Sequence, residues 1–268
     1  MCTLTLLRSG HGSHASGADE PRARLVMNRD ERRTRPHAHG PRVIQCVLRV
    51  AIMPVDPLSG GTWIGCNDRG VAACLLNSTR DARTFPPGHG LRSRGTVVPI
   101  LLAASDLSES LEIATSIDAQ SFPAFRLLIT DGQRHAVVRA DGVAMVIEAH
   151  AGIGEGVMLT SSGLGDELVQ QPRRVAFERL LMDAHAGAAP DSERAQRAQD
   201  GFHSGTGGEE SALNVCMARL DARTVSITTI EFFQHSAAMA YSPLGEDLRP
   251  LRTPELASIP FENAGRLA

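Results

Sequence analysis

Lysine is missing from this chain of 268 residues, and all 27 of its basic residues are arginine. Without an ε-amine there is no Schiff-base chemistry, no pyridoxal-phosphate anchor, no Ser–Lys dyad and no Walker-type phosphate loop. Aromatic residues make up 4%, with one Trp and one Tyr, too few for a row of base-stacking platforms. A net charge of −3 gives no overall basic surface to hold nucleic acid. The longest uncharged apolar run, Val97 to Ala104, falls far short of the ~20 residues that span a bilayer. Cysteines stand at 2, 46, 66, 74 and 216, an odd set without CxxC spacing. This argues against a disulfide framework and a zinc knuckle and favours small buried residues in strands. His11, His14, His37 and His39 sit in Gly/Pro/Arg loops; HExxH and CxxCH are missing, and no metal site is expected.

What remains is a chain that is 42% hydrophobic, ample for a core. The amino terminus lacks the charged region of a signal peptide, and the expectation is a soluble cytoplasmic protein. Abundant Ala, Arg and Gly suggest a GC-rich, bacterial genome. Strands are expected at 2–7, 24–28, within 42–55, and as a hairpin from Trp63 to Asn77. The run Arg29-Asp30-Glu31-Arg32-Arg33 reads as a charged turn. Two helices are expected at 96–104 and 106–118. Asp131-Gly132 and Asp141-Gly142 mark hairpins between strands at 125–130, 134–139 and 143–148. A helix is expected over 171–185, a polar mobile loop or frayed helix over 186–210, and strands at 211–220 and 224–233. Strands cluster at both ends with helices between them and no βαβ alternation, which favours one α+β domain over 1–241 with a Pro-rich tail over 242–268 that packs on it or is mobile.

Three features carry chemistry. Loss of Met1 would give Cys2 a free α-amine of reference pKa ~7.7–8.0 beside a thiol of ~8.5, a nucleophile and a base on one residue. Such a pair attacks amide or ester carbonyls through a thioester. The plain alternative is a small residue opening a strand. Asn28-Arg29-Asp30-Glu31 sets two carboxylates beside a guanidinium at a strand end, able to fix a cationic amine. Asn77 closes a strand with an amide N–H suited to an oxyanion, worth ~3–4 kcal/mol where such donors have been removed.

Taken together these segments resemble the NRDE family. The likeness rests on Met1-Cys2-Thr3-Leu4, on Asn28-Arg29-Asp30-Glu31 followed by Arg35-Pro36, and on Gly60-Gly61-Thr62-Trp63-Ile64-Gly65 running through Gly70 to Leu76-Asn77. The layout is also similar to N-terminal-nucleophile hydrolases of the bile-salt-hydrolase and penicillin-V-acylase type. The resemblance implies a four-layer αββα sandwich of two mostly antiparallel sheets flanked by helices. It makes Cys2 the nucleophile, Asn77 an oxyanion donor and Trp63 a substrate contact. Asn28 and Glu31 fall in register with the arginine and aspartate that hold the cysteine and its amine, or Arg29 and Asp30 do so after a one-residue shift. Thr160-Ser161-Ser162-Gly163 stands where those acylases carry a second asparagine, and Ser162 offers a hydroxyl there. Their late arginine corresponds to Arg173 or Arg174. The implied partner is a small acyl or amide substrate, with no required cofactor. The alternative is a carrier on the same fold holding haem or an acyl lipid, since the family is linked to haem handling and one axial Cys or His suffices.

Overall fold

The computed structural model describes residues 2–8, 20–78, 90–186, 191–205 and 212–262. His11 and His14 therefore lie outside the described residues, as do Met1, most of the loop over 78–95 and parts of the stretch 186–210. Thirteen strands are named: β1 (Cys2–Arg8), β2 (Ala23–Arg32), β3 (His39–Cys46), β4 (Arg49–Val55), β5 (Ile64–Asn67), β6 (Ala72–Asn77), β7 (Phe125–Thr130), β8 (Arg134–Ala140), β9 (Met145–Gly152), β10 (Val157–Ser161), β11 (Ala222–Phe232), β12 (Ser236–Pro243) and β13 (Glu255–Pro260). Among the described residues four α-helices accompany them: α1 (Val97–Leu101), α2 (Leu107–Ser116), α3 (Asp166–Ala184) and α4 (Ser192–Ser204).

The strands form two antiparallel sheets. One runs β10-β1-β2-β11-β12-β13 and the other β3-β4-β5-β6-β7-β8-β9. Alternation along each strand gives every sheet an inner and an outer face. Leu4, Leu6, Leu25 and Met27 from the first sheet meet Ile52, Ile64, Cys74, Leu76 and Leu128 from the second in one apolar core. The outer face of the second sheet is covered by α1 and α2, where Val98, Leu101 and Leu107 pack on Ala73, Leu75 and Leu127. The outer face of the first lies under α3 and α4. The result is the four-layer αββα sandwich. Among the described residues no helix is long and apolar enough to cross a membrane.

Local sequence accounts for many of the boundaries. Asp106 caps α2 by accepting from the Glu109 N–H at 2.9 Å, and Asp131 Oδ1 ties the β7–β8 turn by accepting from Gln133 N and Arg134 N. In the β5–β6 turn Asn67 Oδ1 accepts from Arg69 N and Val71 N. Gly70 there takes φ +77°, a conformation that side chains with a Cβ rarely adopt.

The structure departs from the sequence expectations in several places, among them β10 and β12, where no strand is expected, and α3, which opens at Asp166 instead of 171. Residues 29–32 are not a turn: β2 continues through Arg32, because its charged side chains find partners on neighbouring elements. Within 186–210, expected as a loop or a frayed helix, Ser192–Ser204 form the capped helix α4. Residues 212–220 form turns with a single bridge from Ala218 to Arg223 instead of a strand. The stretch 242–268, expected to pack on the domain or to be mobile, contributes β13, paired with β12 along the edge of the first sheet.

Candidate functional site

Cys2 opens β1, which lies next to the edge of the first sheet between β10 and β2. Its Cα partners are Ser161 on one side and Arg29 on the other. Residues directly opposite in an antiparallel ladder project to one face, so Cys2, Arg29 and Ser161 share the inner face. The Cys2 nitrogen donates to Ser161 Oγ at 3.1 Å. Burial, the largest influence, pushes the Cys2 thiol up; the Asp30 backbone N–H and the Arg29 charge oppose this, and the Asp30 carboxylate adds to it.

Arg29 is fixed from two directions. Its guanidinium lies 4.1 Å from the centroid of the Trp63 ring, a cation–π distance, and it donates to Asp56 while Glu31 Oε2 stands 3.7 Å away. Asp56 is buried and unusually well served. It accepts from Arg35 Nε and Nη2 at 2.8 and 2.9 Å, and from Leu58 N, Ser59 N and Ser59 Oγ. Burial alone would raise its pKa, but the hydrogen bonds from Arg35 and Ser59 and the Arg29 charge hold the carboxyl well below the usual range.

These groups line a cavity of about 270 Å³ that also takes in Asn77, Leu75, Thr62, Arg92 and Arg94. Asn77 ends β6 on the second sheet, so the cavity bridges the two sheets above Cys2. The Gly60-Gly61-Thr62-Trp63 segment builds one wall by backbone contact. A Cβ on Gly61 would stand 2.7 Å from the Gly95 backbone, and Thr62 N donates to Gly95 O at 3.0 Å. The segment bearing Arg92 and Arg94 is thereby held against Trp63.

Of the other residues singled out in the sequence, Asp30 and Glu31 also line this cavity, and the rest sit elsewhere. Asn28 pairs with Thr3, one step out of phase with Cys2. Its amide bonds His203 O at 2.9 Å, Val215 O at 3.1 Å and, through Oδ1, His203 Nδ1 at 2.7 Å under α4. The register therefore sets Arg29, not Asn28, beside Cys2. Glu31 lines the cavity with Arg29. Asp30 is buried and accepts from Thr224 Oγ1 at 2.7 Å next to a bulge in β11. Burial raises its pKa while Arg173 opposes the rise. Ser162 begins the turn into α3: its N–H donates to Asp166 and its Oγ accepts from Leu164 N. Arg173 is fully buried and braces the outer side of β1, donating to Thr3 Oγ1 at 2.7 Å and Thr160 Oγ1 at 2.8 Å and to the carbonyls of Leu213 and Asn214. Arg174 is exposed and lines a separate cavity with Arg126 and Glu148.

Sequence reading did not single out Ser161, Asp56, Arg92 or Arg94. Asp56-Pro57-Leu58-Ser59-Gly60 carries an Asx-turn signature that marks the Asp56 loop; nothing local marks Ser161 over Ser162. Among the described residues no group of three or more His, Cys, Asp or Glu is disposed to hold a metal.

The model of the Transport and Golgi organisation 2 family matches residues 13–200. No curated protein matches the chain. Among solved structures, a variant of conjugated bile acid hydrolase from Clostridium perfringens is similar with a TM-score of 0.50 at 14% identity, covering 97% of both chains. The Caenorhabditis elegans ortholog of N-acylethanolamine-hydrolyzing acid amidase is similar with a TM-score of 0.51 at 10% identity, covering 85% of this chain and 92% of that one. The chain shares its fold with these two proteins, and it belongs to the Transport and Golgi organisation 2, or NRDE, family.

Proposed function

We propose that the protein is an N-terminal-cysteine amidohydrolase acting on a small linear amide or related acyl bond. One observation carries this reading: Cys2 borders a polar cavity with Arg29 beside it and Asn77 on the facing sheet. After removal of Met1, the Cys2 α-amine takes the thiol proton and Sγ attacks the carbonyl carbon. Asn77 is suited to donate to the oxyanion. Collapse of the tetrahedral adduct breaks the C–N bond, and the departing amine leaves with the proton held by the α-amine. Water, deprotonated by the same amine, then cleaves the thioester to give a carboxylate and return the thiol. Arg29 favours the thiolate, and the Cys2 nitrogen is steadied by Ser161.

The test is intact mass before and after a cysteine-directed acylating probe, followed by hydrolysis of short acyl amides. The expected result is a chain without Met1, one adduct on Cys2, and turnover abolished in Cys2→Ala. Retained Met1 with an inert Cys2 overturns the reading.

The second reading is a carrier of haem or acyl lipid on the same fold: burial pushes the Cys2 thiol up, which weakens it as a nucleophile. A Soret band on haem titration, lost on changing one axial residue, with no amide turnover, would support that second reading.

A further inference from the structure

The charges around the Cys2 cavity are unevenly satisfied. Four arginines line it, Arg29, Arg35, Arg92 and Arg94, against three carboxylates, Asp30, Glu31 and Asp56. Arg29 and Arg35 are both committed to Asp56, with Glu31 close to each. Among the described residues Arg92 and Arg94 pair with no carboxylate. Arg94 Nη1 donates to the Ala124 carbonyl at 2.9 Å, which leaves Nη2 and Nε without a protein partner there. Arg92 stacks 5.2 Å from the Phe122 ring centroid, an arrangement that orients the guanidinium without neutralising it. Arg94 is only partly exposed; burial lowers its pKa, and the Glu31 charge opposes this without a direct ion pair, so the guanidinium can still take an anion in contact. The Gly61–Gly95 backbone contact fixes the segment that carries both groups.

We infer that Arg94, assisted by Arg92, is an anion-recognition site of the Cys2 cavity, so that the substrate is an acyl amide bearing a carboxylate or similar anion. The inference rests on the amidohydrolase reading for the word substrate. The anion site itself stands apart from the chemistry. A guanidinium fork with two open N–H groups matches a carboxylate in geometry as well as charge. The protein backbone holds the fork before the ligand arrives, so little ordering is needed on binding. The anion belongs either to the acyl end or to the amine end of the amide, and the two ends are separable by experiment.

Two matched pairs of probes test this on the full chain: N-octanoylglycine against N-octanoylglycinamide, and the monoamide of octanedioic acid against octanamide. The expected result is a kcat/KM higher for the carboxylate member by about ten-fold or more in one pair, which identifies the end that Arg94 holds. That ratio falls towards one in Arg94→Gln and recovers in part in Arg94→Lys, and raised salt lowers it in the unaltered protein. Equal turnover of both members in both pairs overturns the anion site while leaving the amidohydrolase standing. If no probe is turned over, but Cys2→Ala binds N-octanoylglycine more tightly than its amide in calorimetry and Arg94→Gln removes the difference, the anion site stands and the amidohydrolase reading fails. Absence of both turnover and binding overturns the two together.

Discussion

Arg29 faces Cys2 directly across the β1–β2 ladder, so guanidinium and thiol stand on one face of the sheet within the same cavity. The cation is held over Trp63 and against Asp56 and does not depend on solvent for its position. Its charge opposes the burial that keeps the Cys2 proton in place. Arg29→Met removes that charge while roughly preserving volume. The pH at which Cys2 alkylation is half-maximal should then move upward, because one of the influences favouring the thiolate is gone. Stability in denaturant should fall by about 2–3 kcal/mol, since Asp56 retains Arg35 and its backbone donors. A pH–rate profile for iodoacetamide that is unchanged in the variant counts against this role for Arg29.

Asp56 gathers two arginines and the Ser59 turn, and its folded pKa lies below that of the unfolded chain. In acid the unfolded state therefore binds the proton first. The stability contributed by this carboxylate is complete above the unfolded value of ~3.9 and drains away as pH falls through the folded value. Asp56→Asn should lower stability at neutral pH by about 3–5 kcal/mol, because Arg29 is left buried without its main counter-charge. The same variant should lose the part of the acid slope below pH ~4 that belongs to this group. Denaturant midpoints measured from pH 7 down to 3 for the two proteins give both quantities, and parallel slopes would exclude the assignment.

The face of the first sheet under α4 explains what a hydrophobic pattern reveals and what it hides. The β7–β8 and β8–β9 hairpins were legible because Asp131 and Asp141 write their turns locally, each accepting from backbone N–H groups two and three residues on. The Cys2 and Gly60–Trp63 segments were legible as motifs. Helix α4 was legible only as one of two alternatives, because the side chains it buries most deeply are polar: Gln199 and His203, set against Thr5, Arg24 and Asn28. The end of β2 was misread for a related reason. Arg29 and Glu31 look solvated in one dimension and find their counter-charges only once Asp56 and Arg35 arrive from elsewhere. The choice between Ser161 and Ser162 is a one-residue matter of ladder register, which the β1–β10 pairing decides and residue type does not.

The same polar layer predicts a second acid response. Asn28 Oδ1 can only accept, so His203 Nδ1 carries the proton and Nε2 accepts from Thr5 Oγ1, which in turn accepts from Gln199. Burial, with Arg24 nearby, pushes the His203 pKa down to about 3. An unfolded histidine titrates near ~6.5, so stability should be full above that pH and fall steadily as pH drops towards 3. His203→Phe should be less stable at pH 7.5 by about 1–3 kcal/mol, with Asn28 and Thr5 losing a partner. Its stability should nevertheless change less between pH 6.5 and 4.5 than that of the unaltered protein. Equal pH slopes for both proteins would mean that another group controls the transition.

Gly61 and Gly95 touch backbone to backbone at the edge of the Cys2 cavity, and this contact decides where Arg92 and Arg94 sit. A Cβ on Gly61 would lie 2.7 Å from Gly95 C and O, closer than real contacts allow, and backbone atoms cannot swing aside as a flexible side chain does. Gly61→Ala must therefore displace the 92–96 segment or bend the chain leading to Trp63. The expected cost is about 1–3 kcal/mol in thermal or denaturant unfolding, the range for overpacking a tight site. Hydrogen exchange should quicken at Thr62, whose N–H bonds Gly95 O, and at Thr96, whose N–H bonds Ser93 O. Protection at Leu6 and Leu25, deep in the inter-sheet core, should follow global stability alone. A Gly61→Ala protein with unaltered exchange at Thr62 and Thr96 would show that the cavity wall is held by something other than this contact.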